Sequence, residues 1–381
     1  MLPARNSVRP SLADVLPSCL ASILGESNAL GLPPADKAVV FLLDGLGVNS
    51  IRELPGHART LAGALTKTST TSAGFPTTTA SGLATITTGE HPGIHGMVGY
   101  TSLDPEHDRV VQLLTGWDAR LDPATWQRSR TVFERAADNG IPSFAIGIDR
   151  FRGSGFSSAV LRGAEFRAGK RVADRVGEAR RLLDENDSAI IYVYAAEFDH
   201  AAHHYGRGSD RAIRALEELD AAVSGLSAGL GRREGLIVTA DHGSLDVPAS
   251  SHVLFDHEPG LLDGIRHVAG EPRALQLHFE PDASPELRER VTTSWRGAEG
   301  GRSLVVTRAE AIAEGWFGPT VDPVVVPRIG DLIVAGRKAV AYYDSRTATA
   351  RSRAMIGQHG SLSPEETAVP LLRFGAYAPR S

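Results

Sequence analysis

Three short apolar runs each close on acids or histidines, and this repetition constrains the fold more than any other feature. Val39-Val40-Phe41-Leu42-Leu43 runs into Asp44-Gly45. Ala189 to Tyr194 (AIIYVY) is followed by Glu197, Asp199 and His203. Leu236 to Thr239 is followed by Asp241-His242-Gly243. Short runs rich in β-branched residues, with no polar alternation, read as strands buried on both faces, the pattern of a parallel sheet covered by helices. The segments between them carry apolar residues at helical spacing: Thr131 to Asp138, Arg171 to Leu183 and Asp210 to Leu230. The expected fold class is therefore α/β, a three-layer, mostly parallel sheet with helices on both faces. Such sheets hold ligands outside the carboxyl ends of their strands, where these acids and histidines stand.

Local signals place the remaining elements. Ser11-Leu-Ala-Asp14 reads as a capping box ahead of an apolar-faced helix containing Cys19, which Pro17 would kink or delay. Residues 79–88, entered from a turn at Phe75-Pro76, read as a helix, and Ser143 to Ile148 as a strand. From about Val247 to Gly357 the texture changes. Arg273 to Phe279 alternates like a half-exposed strand, Ser284-Pro285-Glu286 starts a helix, and Leu304 to Thr307 and Leu332 to Val334 add strands. The expected organisation is a catalytic α/β core begun by residues 1–246, a smaller inserted α+β subdomain at 247–356, and a return to the core at 357–381.

Composition removes several function classes. The 381 residues are 42% hydrophobic, enough for a large core, and their net charge of -5 leaves no nucleic-acid footprint. Arg128 to Arg135 reads as solvated helix faces. The single cysteine, Cys19, excludes an intrachain disulfide framework and a cysteine metal site. The segment up to Ser27 carries Arg5 and Arg9, but Asp14, Pro17 and Ser18 interrupt any leader-like apolar core. No run approaches the roughly 20 apolar residues of a membrane span. A soluble, cytoplasmic chain with no membrane partner is expected; oligomeric state is not encoded in any feature of this kind.

The stretch from Gly74 to His95 is dense in hydroxyls: Thr77, Thr78, Thr79, Ser81, Thr85, Thr87 and Thr88. A hydroxyl needs a base or a metal beside it to act as a nucleophile. Asp199 and His203, four residues apart, share one helical face and could chelate one ion. Asp241 and His242 are adjacent ligand types at a strand end, and Gly357-Gln-His359-Gly360 adds a late histidine. With Asp44 this makes three aspartates and three histidines, enough for two metal sites with open positions. Thr77 and Thr78 read as helix-entry or capping residues, and His200 and His204 as flanking residues. His252, His257, His267 and His278 lie in the insertion without an assigned role. A dinucleotide-binding reading of Gly45-Leu-Gly47 fails because Ser50 stands where the third glycine is needed. Gly225-Leu-Ser227-Ala-Gly229 ends a helix before a strand, the wrong setting for a nucleophile elbow.

Taken in order, these pieces resemble the alkaline phosphatase superfamily, in particular its type I phosphodiesterase/nucleotide pyrophosphatase branch. The resemblance covers about Lys37 to Gly243 and again Gly357 to Phe374. The family's nucleophile precedes the glycine of a Thr-Gly pair by ten residues, and counting back from Gly89 lands on Thr79. Its E-x-D-x-x-x-H-x-x-G is matched by Glu197, Asp199, His203 and Gly206, its Asp-His-Gly by Asp241, His242 and Gly243, and its terminal histidine by His359. The resemblance implies one divalent metal on Asp199, His203 and His359, and a second on Asp44, Asp241 and His242 that also binds Thr79. Mixed carboxylate and imidazole ligands suit Zn²⁺ first and Mn²⁺ second. The implied activity is cleavage of a small-molecule phosphodiester or nucleotide-type pyrophosphate through a phosphothreonine. Related enzymes carry Phe-Pro-Asn after the nucleophile, whereas Phe75-Pro76 precede Thr79; Tyr100 stands where an asparagine binds a phosphoryl oxygen. The arginine that grips phosphate in the phosphomonoesterases has no equivalent, which favours a monoanionic diester. The alternatives are a phosphomonoesterase or a metal-dependent phosphomutase of the same superfamily, although mutases carry a larger cap domain.

Overall fold

The computed structural model of the chain describes residues 10–379, so the part of the leader reading that rests on residues 1–9 lies outside the described residues. Among these residues a seven-stranded sheet runs in the order Thr70–Ser72, Ala368–Gly375, Glu234–Thr239, Lys37–Leu43, Ala189–Ala195, Ser143–Gly147, Glu165–Ala168. The five strands from Glu234–Thr239 to Glu165–Ala168 pair in parallel, and Ala368–Gly375 runs antiparallel to both neighbours. The fold is thus mixed α/β with a large, mostly parallel sheet, as the apolar runs require. Lys37–Leu43 is buried at every residue after Lys37, because strands pair along both its edges and the main apolar core surrounds it. Leu42 faces Tyr194 on one neighbour and Thr239 on the other. The three central strands therefore end in line, and their following acids emerge together.

The remaining core helices follow their local signals closely. Ser11 and Asp14 form a capping box, with Ser11 N–H donating to Asp14 Oδ2 at 2.7 Å, and the helix Val15–Leu24 contains Pro17 in its first turn, where no intrahelical N–H bond is lost. Cys19 is fully buried. One basic residue departs from the solvated reading: Arg135 donates from Nη2 to Thr88 O at 2.7 Å, at the carboxyl end of helix Thr79–Thr88, and burial lowers its pKa.

A second, antiparallel sheet of six strands runs in the order Ser303–Thr307, Leu332–Gly336, Ala274–Phe279, Ile265–Glu271, Thr101–Asp104, Arg109–Gln112 among the described residues. Four of these strands come from the region read as an insertion. The other two form a hairpin from the first part of the chain, so residues 247–356 do not build this sheet alone. Ala274–Phe279 is buried along its whole length, which corrects its reading as half-exposed. Its odd-numbered apolar members pack with Val291 and Trp295 of the helix Pro285–Glu299, while Ala274 packs with Phe75 and Phe317. Its Gln276 is satisfied inside: it donates to Val98 O at 2.6 Å and accepts from Gly330 N at 3.0 Å.

One buried ion pair joins this sheet to the late loop. Arg273 and Glu366 are both 0% exposed, and the guanidinium donates to both carboxylate oxygens at 2.8 Å. Arg273 also donates to the carbonyls of Gly336, Lys338 and Val340, and Glu366 accepts from the N–H groups of Ser361 and Ser363. Removing one partner strands a buried charge, at about 3–5 kcal/mol. Glu366→Ala should lose that much stability in urea unfolding. The apolar double variant Arg273→Met/Glu366→Leu should lose less than the single one.

Candidate active site

The sheet order sets Asp241, Asp44 and Asp199 side by side, just beyond the carboxyl ends of neighbouring strands. Two glycines permit the crowding. Gly45 has φ +72°, and a Cβ there would lie 2.5 Å from Asp199 Oδ1. A Cβ on Gly82 would lie 2.7 Å from Asp241 Cβ, so only glycine lets the helix Thr79–Thr88 rest on that aspartate. This helix starts from Thr78 in extended conformation and stops at Gly89 in the left-handed region, φ 74°. Thr79 is its first residue, and its Oγ1 lies 3.2 Å from His242 Nε2.

Two groups of ligand atoms result: Asp199, His203 and His359, and Asp44, Asp241 and His242, each within 4.8 Å of one another. His203 Nε2 lies 3.2 Å from Asp199 Oδ2 and 3.2 Å from His359 Nε2. His242 Nε2 lies 3.4 Å from Asp44 Oδ1 and 3.5 Å from Asp241 Oδ2, and the His242 and His359 rings stack at 3.7 Å. The structure thus brings together every ligand residue expected from the sequence, with Thr79 beside them.

The histidine tautomers follow from their outer partners. His203 Nδ1 faces Gly357 O at 2.7 Å, His359 Nδ1 faces Thr77 O at 2.8 Å, and His242 Nδ1 faces Gly243 O at 3.2 Å. A carbonyl only accepts, so each Nδ1 carries the proton and each Nε2 lone pair turns inward. Two lone pairs facing each other at 3.2 Å, between His203 and His359, repel unless a cation lies between them. Asp44 Oδ1, Asp199 Oδ1 and Asp241 Oδ2 have no hydrogen-bond partner among the described residues. On Asp44 and Asp241 the other oxygen is fixed. Tyr194 donates to Asp44 Oδ2, and Asp241 Oδ1 accepts from Gly45 N at 3.2 Å and His242 N at 3.1 Å. Three bare carboxylate oxygens and three inward imidazole nitrogens make a donor set that could hold two divalent ions, with the outer hydrogen bonds that orient such ligands.

The electrostatics agree. Burial raises the Asp44 pKa well above the usual carboxylate range, and the charges of Asp241 and Asp199 raise it further. Burial also raises Asp241. Burial pushes Asp199 upward too, but His203, His359 and His242 together hold it below its ordinary value. Burial and the neighbouring His242 drive His359 well below its ordinary value.

A cavity of about 750 Å³ opens over Asp44, Thr79, Asp199, His203 and His359, and is also lined by Phe151, Phe156, Leu161 and Phe166. Tyr100 lines it as well, and its hydroxyl accepts from Gln112 Nε2, leaving the phenolic proton to donate elsewhere. Thr78 is the helix N-cap, and Thr77 is structural: it donates to Ser361 O at 2.7 Å and accepts from Gly360 N at 3.0 Å. Glu197 receives a buried guanidinium, that of Arg175, and so anchors the helix Glu197–Tyr205. His200 lines the cavity, whereas His257 meets Ser345, His267 meets Asp108, and His278 is buried in the second sheet. Sequence reasoning missed Tyr194, whose phenol at the end of an apolar run was its available signal. It also missed Glu271, a buried acid lining the same cavity, which carried no local signal at all.

The fold and this donor set define a mixed α/β protein with two candidate metal positions at the carboxyl edge of its sheet. The sequence profile of the type I phosphodiesterase/nucleotide pyrophosphatase family matches residues 38–362, and the chain belongs to that family, within the alkaline phosphatase superfamily. Superfamily members use two divalent metals. A phosphopentomutase of Anaeromyxobacter sp. (strain K) is 33% identical over 136 residues, covering 35% of this chain and 32% of that protein. An uncharacterized pyrophosphatase/phosphodiesterase of Schizosaccharomyces pombe is 26% identical over 179 residues, covering 44% of this chain and 36% of that one. The matches thus span about a third of the length of these curated relatives. Murine ectonucleotide pyrophosphatase/phosphodiesterase 5, as an inactive variant in complex with AMP, shares the fold with a TM-score of 0.68 at 14% identity, covering 90% of this chain and 88% of that one. The human counterpart gives 0.67 at 15% identity, covering 89% and 88%. Among the described residues, no helix is long and apolar enough to cross a membrane.

Crowded carboxylates set the sign of one prediction. Asp44→Asn should raise the melting temperature of the chelated protein, because a charge that burial and Asp241 disfavour is gone. The same variant should lose most of the gain that added Zn²⁺ gives the parent, about 2.7 kcal/mol per site at a hundredfold excess over Kd. Thermal melts with and without metal check both signs.

Proposed function

We propose that the chain hydrolyses phosphodiester or nucleotide-type pyrophosphate bonds of a small-molecule substrate through a covalent phosphothreonine at Thr79. The observation that carries this reading is the Thr79 hydroxyl at the start of its helix, 3.2 Å from a ligand nitrogen of a donor set that suits two divalent cations. Asp199, His203 and His359 would hold one ion, and Asp44, Asp241 and His242 the other. Such ions, Zn²⁺ before Mn²⁺, supply hydroxyl activation and neutralise phosphoryl charge. Thr79 Oγ1 gives up its proton and bonds to phosphorus as the bond to the leaving ester oxygen breaks. Water then attacks the same phosphorus, the Thr79 O–P bond breaks, and Oγ1 regains a proton. The phenolic proton of Tyr100, left free by Gln112, donates to a non-bridging phosphoryl oxygen.

Two features support a diester. The apolar lining from Phe151 to Phe166 receives an organic ester arm. The one arginine among the residues lining the cavity, Arg150, lays its guanidinium over the Phe151 ring at 4.9 Å, among the apolar lining that would hold the ester arm. The second reading, a phosphopentomutase-type transfer or a phosphomonoesterase, draws on the relatives that carry the former name.

Turnover of bis(p-nitrophenyl) phosphate with a larger kcat/KM than p-nitrophenyl phosphate is expected; the reverse order would favour the second reading. Thr79→Ala should bind metal and fold normally yet lose about 10³-fold or more in kcat, with partial activity kept by Thr79→Ser. Tyr100→Phe should slow turnover by about 10- to 100-fold at unchanged metal content. Full activity of Thr79→Ala would displace the nucleophile assignment.

A further inference from the structure

Glu271 ends the strand Ile265–Glu271 of the second sheet, yet it lines the same cavity as Thr79 and Tyr100. It is 6% exposed, and neither carboxyl oxygen has a hydrogen-bond partner in good geometry among the described residues. Its position is fixed by backbone. A Cβ on Gly360 would lie 2.4 Å from Glu271 Cγ, so the loop carrying His359 presses directly on this side chain. On the other side Thr101 Oγ1 donates to Gly270 O at 2.8 Å, which couples Glu271 to the chain segment of Tyr100. A buried polar group without a partner is costly, and such groups in a site are accounted for by a ligand that completes them.

We propose that Glu271 is a substrate-contacting residue, donating a hydrogen bond from a neutral carboxyl group to a non-bridging oxygen of the bound phosphodiester. No lysine, arginine or histidine pairs with it among the described residues, and the nearby Glu366 is already engaged by Arg273. Burial holds its carboxyl well above the usual range; the Thr78 hydroxyl pulls against this, Glu366 adds to it, and the Tyr100 N–H opposes it least. A neutral acid supplies a second uncharged donor on the side of the second sheet, beside that of Tyr100. Together with Tyr100 it brackets an oxygen that gains charge as phosphorus is attacked. The assignment rests on the phosphoryl-transfer reading of the same centre.

Three variants and one spectrum test it in the metal-loaded, full-length protein. Glu271→Gln keeps a neutral donor of the same shape and should stay within a few-fold of the parent kcat on bis(p-nitrophenyl) phosphate. Glu271→Met removes the donor and should lose about 10²-fold in kcat with metal content unchanged. Glu271→Ala should match Glu271→Met, and stands in for it if that variant does not fold. The infrared difference between the parent and Glu271→Gln should show the carbonyl stretch of a protonated carboxyl group, shifted on adding inorganic phosphate. Parental kinetics in Glu271→Met or Glu271→Ala, equal loss in Glu271→Gln, or absence of that band would overturn the proposal. Absence of diester turnover in the parent itself would instead defeat the hydrolase reading.

Discussion

Three buried carboxylates packed against three imidazoles cannot share one place as bare ions, and much of the structure is arranged around that constraint. Two like charges about 4 Å apart repel by about 4 kcal/mol even at an effective dielectric constant near 20. The tyrosine and backbone donors on Asp44 and Asp241 occupy one oxygen of each and leave the other bare, and only Asp199 has an opposing side chain against it, His203 Nε2 at 3.2 Å. Glycine at 45 and 82 brings the acids closer than any other residue would allow. A chain that sought only stability would spread these groups apart. Here stability is given up locally to keep a charge-deficient cluster ready for cations, the compromise expected at a functional site.

The Arg273–Glu366 pair shows the other way to bury charge. Its two partners meet fork to fork, and further hydrogen bonds occupy the remaining guanidinium and carboxylate positions. Nothing is left over for a ligand. What it achieves is placement: Glu366 gathers the N–H groups of Ser361 and Ser363, two and four residues beyond His359. The last of the six ligands is thereby referred to the second sheet, while the other five ride on the ends of the first. His359 itself faces Thr77 O, 282 residues away in the chain.

That contrast explains what was legible in the sequence. The central strands, the helix Thr79–Thr88 and the ligand residues were all readable, because each rests on a local signal and parallel strands deliver their ends to one edge. The hairpin Thr101–Gln112 was not placed in the second sheet, since antiparallel pairing across more than a hundred residues leaves no trace in either partner. The strand Ala274–Phe279 looked half-exposed because its alternation of apolar and polar residues is that of a sheet with one wet face. In the fold both faces are covered, and Gln276 is dry but satisfied by Val98 and Gly330. Tyr194 was hidden for the opposite reason: inside an apolar run a tyrosine reads as bulk, and only the position of its hydroxyl against Asp44 gives it a role.

The second sheet therefore does more than cover the first. Its strand Ile265–Glu271 and the hairpin that pairs with it reach the cavity through Glu271 and Tyr100, and its ion pair fixes the loop of His359. The candidate metal ligands other than His359 lie at or just beyond the ends of the parallel strands. The groups facing a substrate from the opposite side come from antiparallel elements whose register is set by packing with Phe75, Trp295 and Phe317. One layer fixes the charge and the other fixes the shape around it. Substitutions in the second sheet away from Arg273 would then change the shape of the cavity without moving the candidate ligands.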